Sequence, residues 1–590
     1  MIKNKIILYI SIQALTILSC HADRVALWPE GKIPDFQSQQ IAATNKEVKS
    51  KGFKPAENIM PHLDWVDPPS KKNGACMLFV TGGGYNACVD GLWIDRLAKR
   101  FTELGYVCVN LTYRTPRPHG LPIYQSAWQD GQRAVRLIRN AAKDRGFDPE
   151  KIGALGFSAG SHMTVLLGTS SLTPAYQPID ELDKLPCNIN LAIPVYTAYA
   201  LTDGLTGRNA RDGDGIDVKL SDVFKFDAKT CPMALFHGGT DVYSPNGSIQ
   251  IYRELRRMKI PAEIHLFADR GHGFMGDPNK GENGTAFDHW IDRITEFMRQ
   301  MNFDGQLGQE VDLMSRFTSN AYRKEYRKES IWPDGKIPDF QATQNQPYLE
   351  WHMPKELKTK AIQIIYSGGG YGGNSPDSFE VAPARRYLNE KGMTVVTLKY
   401  RSPRPLGGLA KHTTAWQDLQ RTIRIVRNQA EKEGLDPNRI GIMGSSAGGH
   451  LTLMGATSSK NRSYLPIDKL DKIPCNVQWA VAIYPAYVLT DGVNGGNKNG
   501  GNEDDVRIVP EFSFDLETCP MLFIHGDKDI YSPMGSVKCW EQLRRMGIQS
   551  DLHTLAGRGH CFQRRAAPET GSFTWMNRIW EFMNHKKFNR

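Results

Sequence analysis

The sequence predicts an α/β fold made of two tandem domains, each a mostly parallel central sheet flanked by helices. Three observations lead there. Strand-like runs alternate with helix-like ones along the chain, the pattern of a parallel sheet covered on both faces. Long strings recur with a period of about 290 residues, too long for a solenoid and about right for whole domains. In each repeat a Gly-x-Ser-x-Gly pentapeptide follows a strand and opens a helix.

The repeated strings are long. Leu27-Trp-Pro-Glu-Gly-Lys-Ile-Pro-Asp-Phe-Gln37 returns as Ile331-Trp-Pro-Asp-Gly-Lys-Ile-Pro-Asp-Phe-Gln341. Pro178-Ile-Asp-Glu-Leu-Asp-Lys-Leu-Pro-Cys187 returns as Pro466-Ile-Asp-Lys-Leu-Asp-Lys-Ile-Pro-Cys475. A duplication with these boundaries places the first domain at 23–303, a polar linker at 304–328 and the second domain at 329–590. Within the first repeat, Cys76–Val80, Tyr106–Thr112 and Ile152–Leu155 read as strands, and Ala127–Ala142 carries apolar residues at helical spacing. The second repeat matches them with Ile362–Tyr366, Thr394–Leu398, Ile440–Met443 and the helix Ala415–Val426. Ligands of such sheets sit beyond the carboxyl ends of the strands, so residues just after strands are the place to look for chemistry.

Composition removes several classes of function. Hydrophobic residues at 40% and charged residues at 23% describe globular material, not a disordered or fibrous chain. The net charge of +10 is modest for 590 residues. Its densest basic cluster, Arg323-Lys324-Glu325-Tyr326-Arg327-Lys328, is short and interrupted by an acid, so no nucleic-acid partner is expected. The N-terminus differs from the rest. Lys3 and Lys5 precede an apolar run from Ile6 to Leu18, the shape of a secretory signal over residues 1–22. Ile17-Leu18-Ser19-Cys20 reads as a lipobox that would leave Cys20 lipidated; cleavage at Cys20-His21-Ala22 would instead release a free protein. Either exit implies export, whether periplasmic, membrane-anchored or secreted. A lipid on Cys20 would be the one membrane attachment.

The pentapeptides are Gly156-Phe157-Ser158-Ala159-Gly160 and Gly444-Ser445-Ser446-Ala447-Gly448. A turn this tight needs small neighbours, and it lifts the serine hydroxyl above the sheet as a nucleophile. The hydroxyl attacks only when a histidine takes its proton and a carboxylate orients that histidine. In this topology the acid and the base should follow in that order, each on a loop after a strand. Asp241, after Cys231–His237, and Asp529, after Cys519–His525, meet the requirement for the acid. His272 and His560 meet it for the base, each following Arg-Gly after a short strand. In both repeats 83 residues separate serine from aspartate and 31 separate aspartate from histidine. His237, His525, His162 and His450 read as packing or supporting residues. Asp130 and Asp418, on helices, read as structural. Asp527 faces a glycine in the first repeat and is excluded as a shared acid.

Acyl transfer also needs donors for the developing oxyanion. Thr81-Gly82-Gly83-Gly84-Tyr85 and Ser367-Gly368-Gly369-Gly370-Tyr371 follow the matching strands. Backbone amides at Gly83, Gly84 and Ala159, and at Gly369, Gly370 and Ala447, would form the two holes, with Tyr85 and Tyr371 placed to touch substrate. No Gly-Lys-Ser/Thr or dinucleotide-binding glycine pattern competes, nor does any His-x-x-x-His or Cys-x-x-Cys metal spacing. No cofactor and no metal is expected.

Together these residues resemble the α/β-hydrolase superfamily, and within it the carbohydrate esterases that include bacterial acetyl xylan esterases. The usual histidine before the glycines is replaced by Thr81 and Ser367, which leaves the backbone donors intact. The resemblance implies removal of O-acetyl or similar small acyl groups from plant polysaccharide or its oligosaccharides, through an acyl-enzyme. Feruloyl or methyl ester hydrolysis is the alternative within enzymes. A carbohydrate-binding pair with one or both hydrolase domains inactive is the alternative outside them. The repeats differ most at Ala87–Leu92 against Gly373–Ser378 and at Met275–Pro278 against Gln563–Ala566, which implies different substrate preferences. In an exported chain, the cysteines matched between repeats suggest disulfides Cys187–Cys231 and Cys475–Cys519.

Overall fold

The computed structural model describes residues 23–37, 60–88, 92–202, 218–274, 289–316, 326–490 and 506–589. The expected leader at 1–22, the segment Met275–Pro278 and positions 89–91 of the segment Ala87–Leu92 lie outside them. In domain one the main-sheet strands are β1 (Asp23–Ala26), β2 (His62–Val66), β3 (Cys76–Val80), β4 (Val107–Thr112), β5 (Ile152–Phe157), β6 (Leu191–Val195), β7 (Met233–Gly238) and β8 (Ala262–Phe267). Domain two repeats the series as β9 (Tyr326–Ser330), β10 (Tyr348–His352), β11 (Ile362–Tyr366), β12 (Thr394–Lys399), β13 (Ile440–Ser445), β14 (Trp479–Ile483), β15 (Met521–Gly526) and β16 (Asp551–Leu555). From β3 to β8, and from β11 to β16, neighbouring strands run parallel. The edge strands β1 and β2, and β9 and β10, are antiparallel. Every residue of β3, β5, β6 and β7 is buried, which is why these strands read as unbroken apolar runs and not as alternation.

Helices cover both faces. Domain one has α1 (Leu92–Glu103), α2 (Gln125–Arg145), α3 (Ala159–Thr169), α4 (Asn246–Arg257) and α5 (Trp290–Gln300). Domain two has α6 (Ala382–Glu390), α7 (Thr413–Ala430), α8 (Ala447–Thr457), α9 (Met534–Arg545) and α10 (Trp575–His585). The α3 and α8 helices, directly after the glycine-serine turns, are buried on all sides. No helix among the described residues is long and apolar enough to cross a membrane.

The two sheets are continuous. Strands β8 and β16 pair antiparallel through Leu266↔Leu552 and His265↔His553, giving one sheet of 16 strands in the order β1-β2-β4-β3-β5-β6-β7-β8-β16-β15-β14-β13-β11-β12-β10-β9. The backbone ladder is short, and side chains extend it. Glu263 accepts from the Ala556 amide at 2.9 Å, and Asp551, its counterpart, accepts from the Ala268 amide at 2.8 Å. His265 and His553 meet at 2.9 Å where the two halves cross. Above this seam, Arg293 on α5 binds Glu581 on α10 at 2.6 Å, and Arg578 on α10 binds Glu296 on α5 at 2.8 Å. The same patch thus meets its counterpart in the other half, as in a two-fold dimer interface. Because the seam is antiparallel, the carboxyl ends of the two parallel strand sets lie at opposite edges of the sheet.

Two sequence expectations meet a different structure. The segment expected as a linker is partly built into domain two: Val311–Asp312 pairs with Arg565–Ala566, and β9 already begins at Tyr326. All nine cysteines among the described residues are free thiols, so the Cys187–Cys231 and Cys475–Cys519 bridges are not formed. The thiols of Cys187 and Cys475 turn instead to the carbonyls of Ser171 and Ser459, each at 3.3 Å, and Cys231 packs against Gly168 of α3.

Candidate active site

The nucleophile turns follow from crowding. At Gly156 a β-carbon would sit 2.2 Å from Thr164 Oγ1, and at Gly160 it would sit 2.3 Å from the Val80 carbonyl. Gly444 and Gly448 are equally hemmed in by Gly448 and Ser367. Between them Ser158 and Ser446 adopt φ 56° with ψ −116° and −120°, a strained backbone at the start of a helix. Such strain persists where the surroundings impose it, and here it presents the hydroxyl.

The structure brings both expected relays together. Ser158 Oγ lies 2.7 Å from His272 Nε2, and His272 Nδ1 lies 2.9 and 3.0 Å from the two oxygens of Asp241. Ser446 Oγ lies 2.8 Å from His560 Nε2, and His560 Nδ1 lies 2.9 and 2.8 Å from the oxygens of Asp529. Both aspartate side chains are fully buried while the histidines keep partial access to solvent. Behind each acid stands the histidine from the end of the preceding strand: His237 approaches Asp241 at 3.5 Å, and His525 approaches Asp529 at 3.4 Å. Burial opposes ionisation of Asp529, yet hydrogen bonds from His525 and His560 hold its carboxyl below the usual range. An ionised acid at this place fixes the imidazole tautomer that leaves Nε2 free to take the serine proton.

The oxyanion loops lie over the nucleophiles. Gly83 and Gly84 take φ of 122° and 62°, and Gly369 and Gly370 take 75° and 61°, backbone conformations that favour glycine. A β-carbon at Gly368 would lie 2.6 Å from Ser446 Cβ, so the loop reaches the reacting atom only without one. Ala159 and Ala447 are the first residues of α3 and α8, and a first-turn amide has no acceptor within its own helix. Those amides and the loop amides are available to a developing oxyanion.

Tyr85 and Tyr371, expected against substrate, are placed behind the loops. Each is 1% exposed, and their hydroxyls meet His162 Nδ1 at 2.9 Å and His450 Nδ1 at 2.8 Å. Packing against the helix after the nucleophile has claimed the whole ring. Burial also pushes His162 down to about 3, which makes it a neutral support.

Sequence reasoning missed three pairs of tyrosines. Tyr113 and Tyr400 donate to the carbonyls of Thr81 and Ser367 at 2.9 and 3.0 Å, supporting the loops where the usual histidine is missing. Tyr196 and Tyr243 pack their rings on His272 at 5.0 Å each, and Tyr484 and Tyr531 pack on His560 at 4.8 and 5.1 Å. The available signal was positional: each stands at or just beyond a strand end in both repeats. Asp130 and Asp418 are structural as expected, each binding a tryptophan indole and an arginine. Asp527 lies at the domain seam, accepting from the Ala262 amide.

Comparison with known proteins shows what the chain is similar to. Residues 63–254 and 349–499 match the BD-FAE family model. Endo-1,4-beta-xylanase B of Butyrivibrio fibrisolvens is 29% identical over 208 residues, 34% of this chain and 32% of that protein. Esterase LipQ of Mycobacterium tuberculosis is 33% identical over 148 residues, covering 25% of this chain and 34% of the relative. The acetylxylan esterase of Xylanibacter ruminicola is 37% identical over 107 residues, 18% of this chain and 21% of that protein. The chain thus spans about a third or less of these curated relatives. Among solved structures, an acetyl ester-xyloside bifunctional hydrolase from Caldicellulosiruptor lactoaceticus is 22% identical with a TM-score of 0.36, covering 45% of this chain and 97% of that one.

Proposed function

The chain belongs to the BD-FAE family, and from that premise we propose that it is an exported carboxylic ester hydrolase with two serine active sites, acting on acylated plant polysaccharide such as xylan. The observation that carries this reading is the pair of closed relays, each with its hydroxyl, imidazole and carboxylate within 3.0 Å contacts. In each, the serine attacks the ester carbonyl as the histidine takes its proton. Negative charge on the carbonyl oxygen is met by the loop amides and by Ala159 or Ala447. The histidine then protonates the departing sugar oxygen, and water, activated by the same imidazole, releases the acid from the acyl-serine. Two curated relatives named as a xylanase and an acetylxylan esterase support acetylated xylan as the substrate class.

The two sites open at opposite edges of one sheet, so they serve separate stretches of polymer. Acetate release from acetylated xylan, measured beside methanol and ferulate release from other polymers, tests the reading. Acetate is expected to dominate. Labelling with an organophosphate followed by peptide mapping is expected to modify both Ser158 and Ser446; no labelling at either would leave a carbohydrate-binding protein instead.

A further inference from the structure

We propose that domain two holds a divalent transition-metal ion, zinc by preference, between His412, His450 and Glu511. One ligand atom from each of these side chains lies within 4.8 Å of the others. A tetrahedral zinc with bonds of ~2.0–2.1 Å holds its ligands about 3.3 Å apart, so side-chain shifts of under an ångström close the site. Two histidines and one carboxylate form a ligand set that zinc accepts, with a water completing the shell.

The second observation is a pair of orphaned nitrogens. His450 is completely buried, and the nearest partner of its Nε2 is Glu511 Oε1 at 3.5 Å, beyond a well-formed hydrogen bond. The Nδ1 of His412 is likewise buried and has no partner. Buried polar atoms are nearly always satisfied, and a cation held beside Glu511 would give the His450 nitrogen a full partner. The other nitrogen of His450 is already oriented by the Tyr371 hydroxyl at 2.8 Å, as metal-bound imidazoles usually are by a neighbour.

Domain one shows what the same place looks like without these ligands. Tyr124 replaces His412, packing on His162 at 5.3 Å just as His412 packs on His450 at 5.3 Å. Val223 replaces Glu511, and the backbone is held identically: Ser170 donates to the Val223 carbonyl at 3.0 Å, and Ser458 to the Glu511 carbonyl at 2.9 Å. The scaffold is shared and the ligand set is confined to one half. Through Tyr371 the ion would brace the oxyanion loop of domain two alone.

The test uses the full chain, stripped with a chelator, dialysed and titrated with zinc chloride. Calorimetry and elemental analysis are expected to find one equivalent of zinc retained per chain, with a higher Tm on loading. His412→Tyr and Glu511→Val install residues the fold already accommodates in domain one. Each is expected to lose that equivalent and the Tm rise while Ser446 remains open to organophosphate labelling, which reports an intact fold. Failure of the unaltered chain to bind stoichiometric zinc overturns the proposal, and so does equal binding by both variants.

Discussion

Domains one and two place the same relay in different surroundings. In domain one the residue before the nucleophile is Phe157, packed on Tyr196 at 5.8 Å and on Trp290 at 6.4 Å. In domain two it is Ser445, which donates to Gln563 at 3.0 Å; Tyr484 donates to Gln563 as well and to Glu380 at 3.2 Å. Glu380 in turn accepts from the Gly368 amide at 2.7 Å. One serine is backed by rings packed edge-on and tilted, the other by a buried polar network that reaches its glycine loop. The relay distances are nearly the same despite these different surroundings. Under the proposed mechanism, this wall is where the two domains would diverge in substrate.

The sharpest way to break the comparison is to silence each domain in turn. Ser158→Ala and Ser446→Ala should each remove about 10⁴-fold or more of the activity at its own site and leave the other site untouched. Initial rates on a panel of acetyl, feruloyl and methyl esters would separate the domains. If both variants lose the same substrates in the same proportion, the difference in the walls has no catalytic meaning.

The next effect concerns what the domains share. Arg293 is buried between Glu296 and Glu581, and Arg293→Ala strips Glu581 of its arginine while leaving Glu296 with Arg578 as its remaining arginine. Losing one partner of a buried pair costs about 3–5 kcal/mol, so urea midpoints should fall well below those of the unaltered chain. A loss of unfolding free energy below about 1 kcal/mol would mean that water reaches the seam.

A smaller, one-sided effect is expected at Glu380. Glu380→Ala removes the acceptor of the Gly368 amide, and a buried donor left unpaired costs about 1–3 kcal/mol. Part of that should appear as a roughly tenfold loss of kcat in a Ser158→Ala background, with Glu380→Gln restoring most of it. Equal losses for both variants would indicate a role for the charge and not for the hydrogen bond.

How far this was legible in the sequence follows from which contacts leave a pattern. The relays were legible because Ser158, Asp241 and His272 keep their spacing in the second repeat, and the turn glycines are demanded by backbone contacts. The supports were not. Tyr113 and Tyr400 sit after strands, where an aromatic reads as core, and their hydroxyl partners are main-chain carbonyls with no sequence signature. Tyr85 and Tyr371 were placed in the pocket by proximity to glycines, whereas the helix behind them had room for the whole ring. Cys187 and Cys231 do precede neighbouring strands, but strand adjacency does not set thiol direction. The seam was illegible for another reason: Glu263 and His265 are polar residues within a strand, which reads as a solvent face until β16 is laid against it.

That seam also supplies a pH dependence. Burial pushes Glu263 up to about 8, and burial together with the nearby arginines holds His265 well below its usual value. Their 3.0 Å contact is thus a neutral hydrogen bond and not an ion pair, with His265 passing its remaining proton contact to His553. The unfolded chain ionises this glutamate near 4.5 while the folded one keeps it protonated up to about 8. Between those values the native state binds the extra proton, so stability must fall as pH rises through the window and level off above it. Glu263→Gln keeps an oxygen for the Ala556 amide and a donor for His265 but has nothing to titrate. Its Tm should decline less than that of the unaltered chain between pH 5 and pH 8, measured in buffers of matched ionic strength. Parallel declines would place the pH dependence elsewhere and show that the two halves separate, or hold, without regard to this proton.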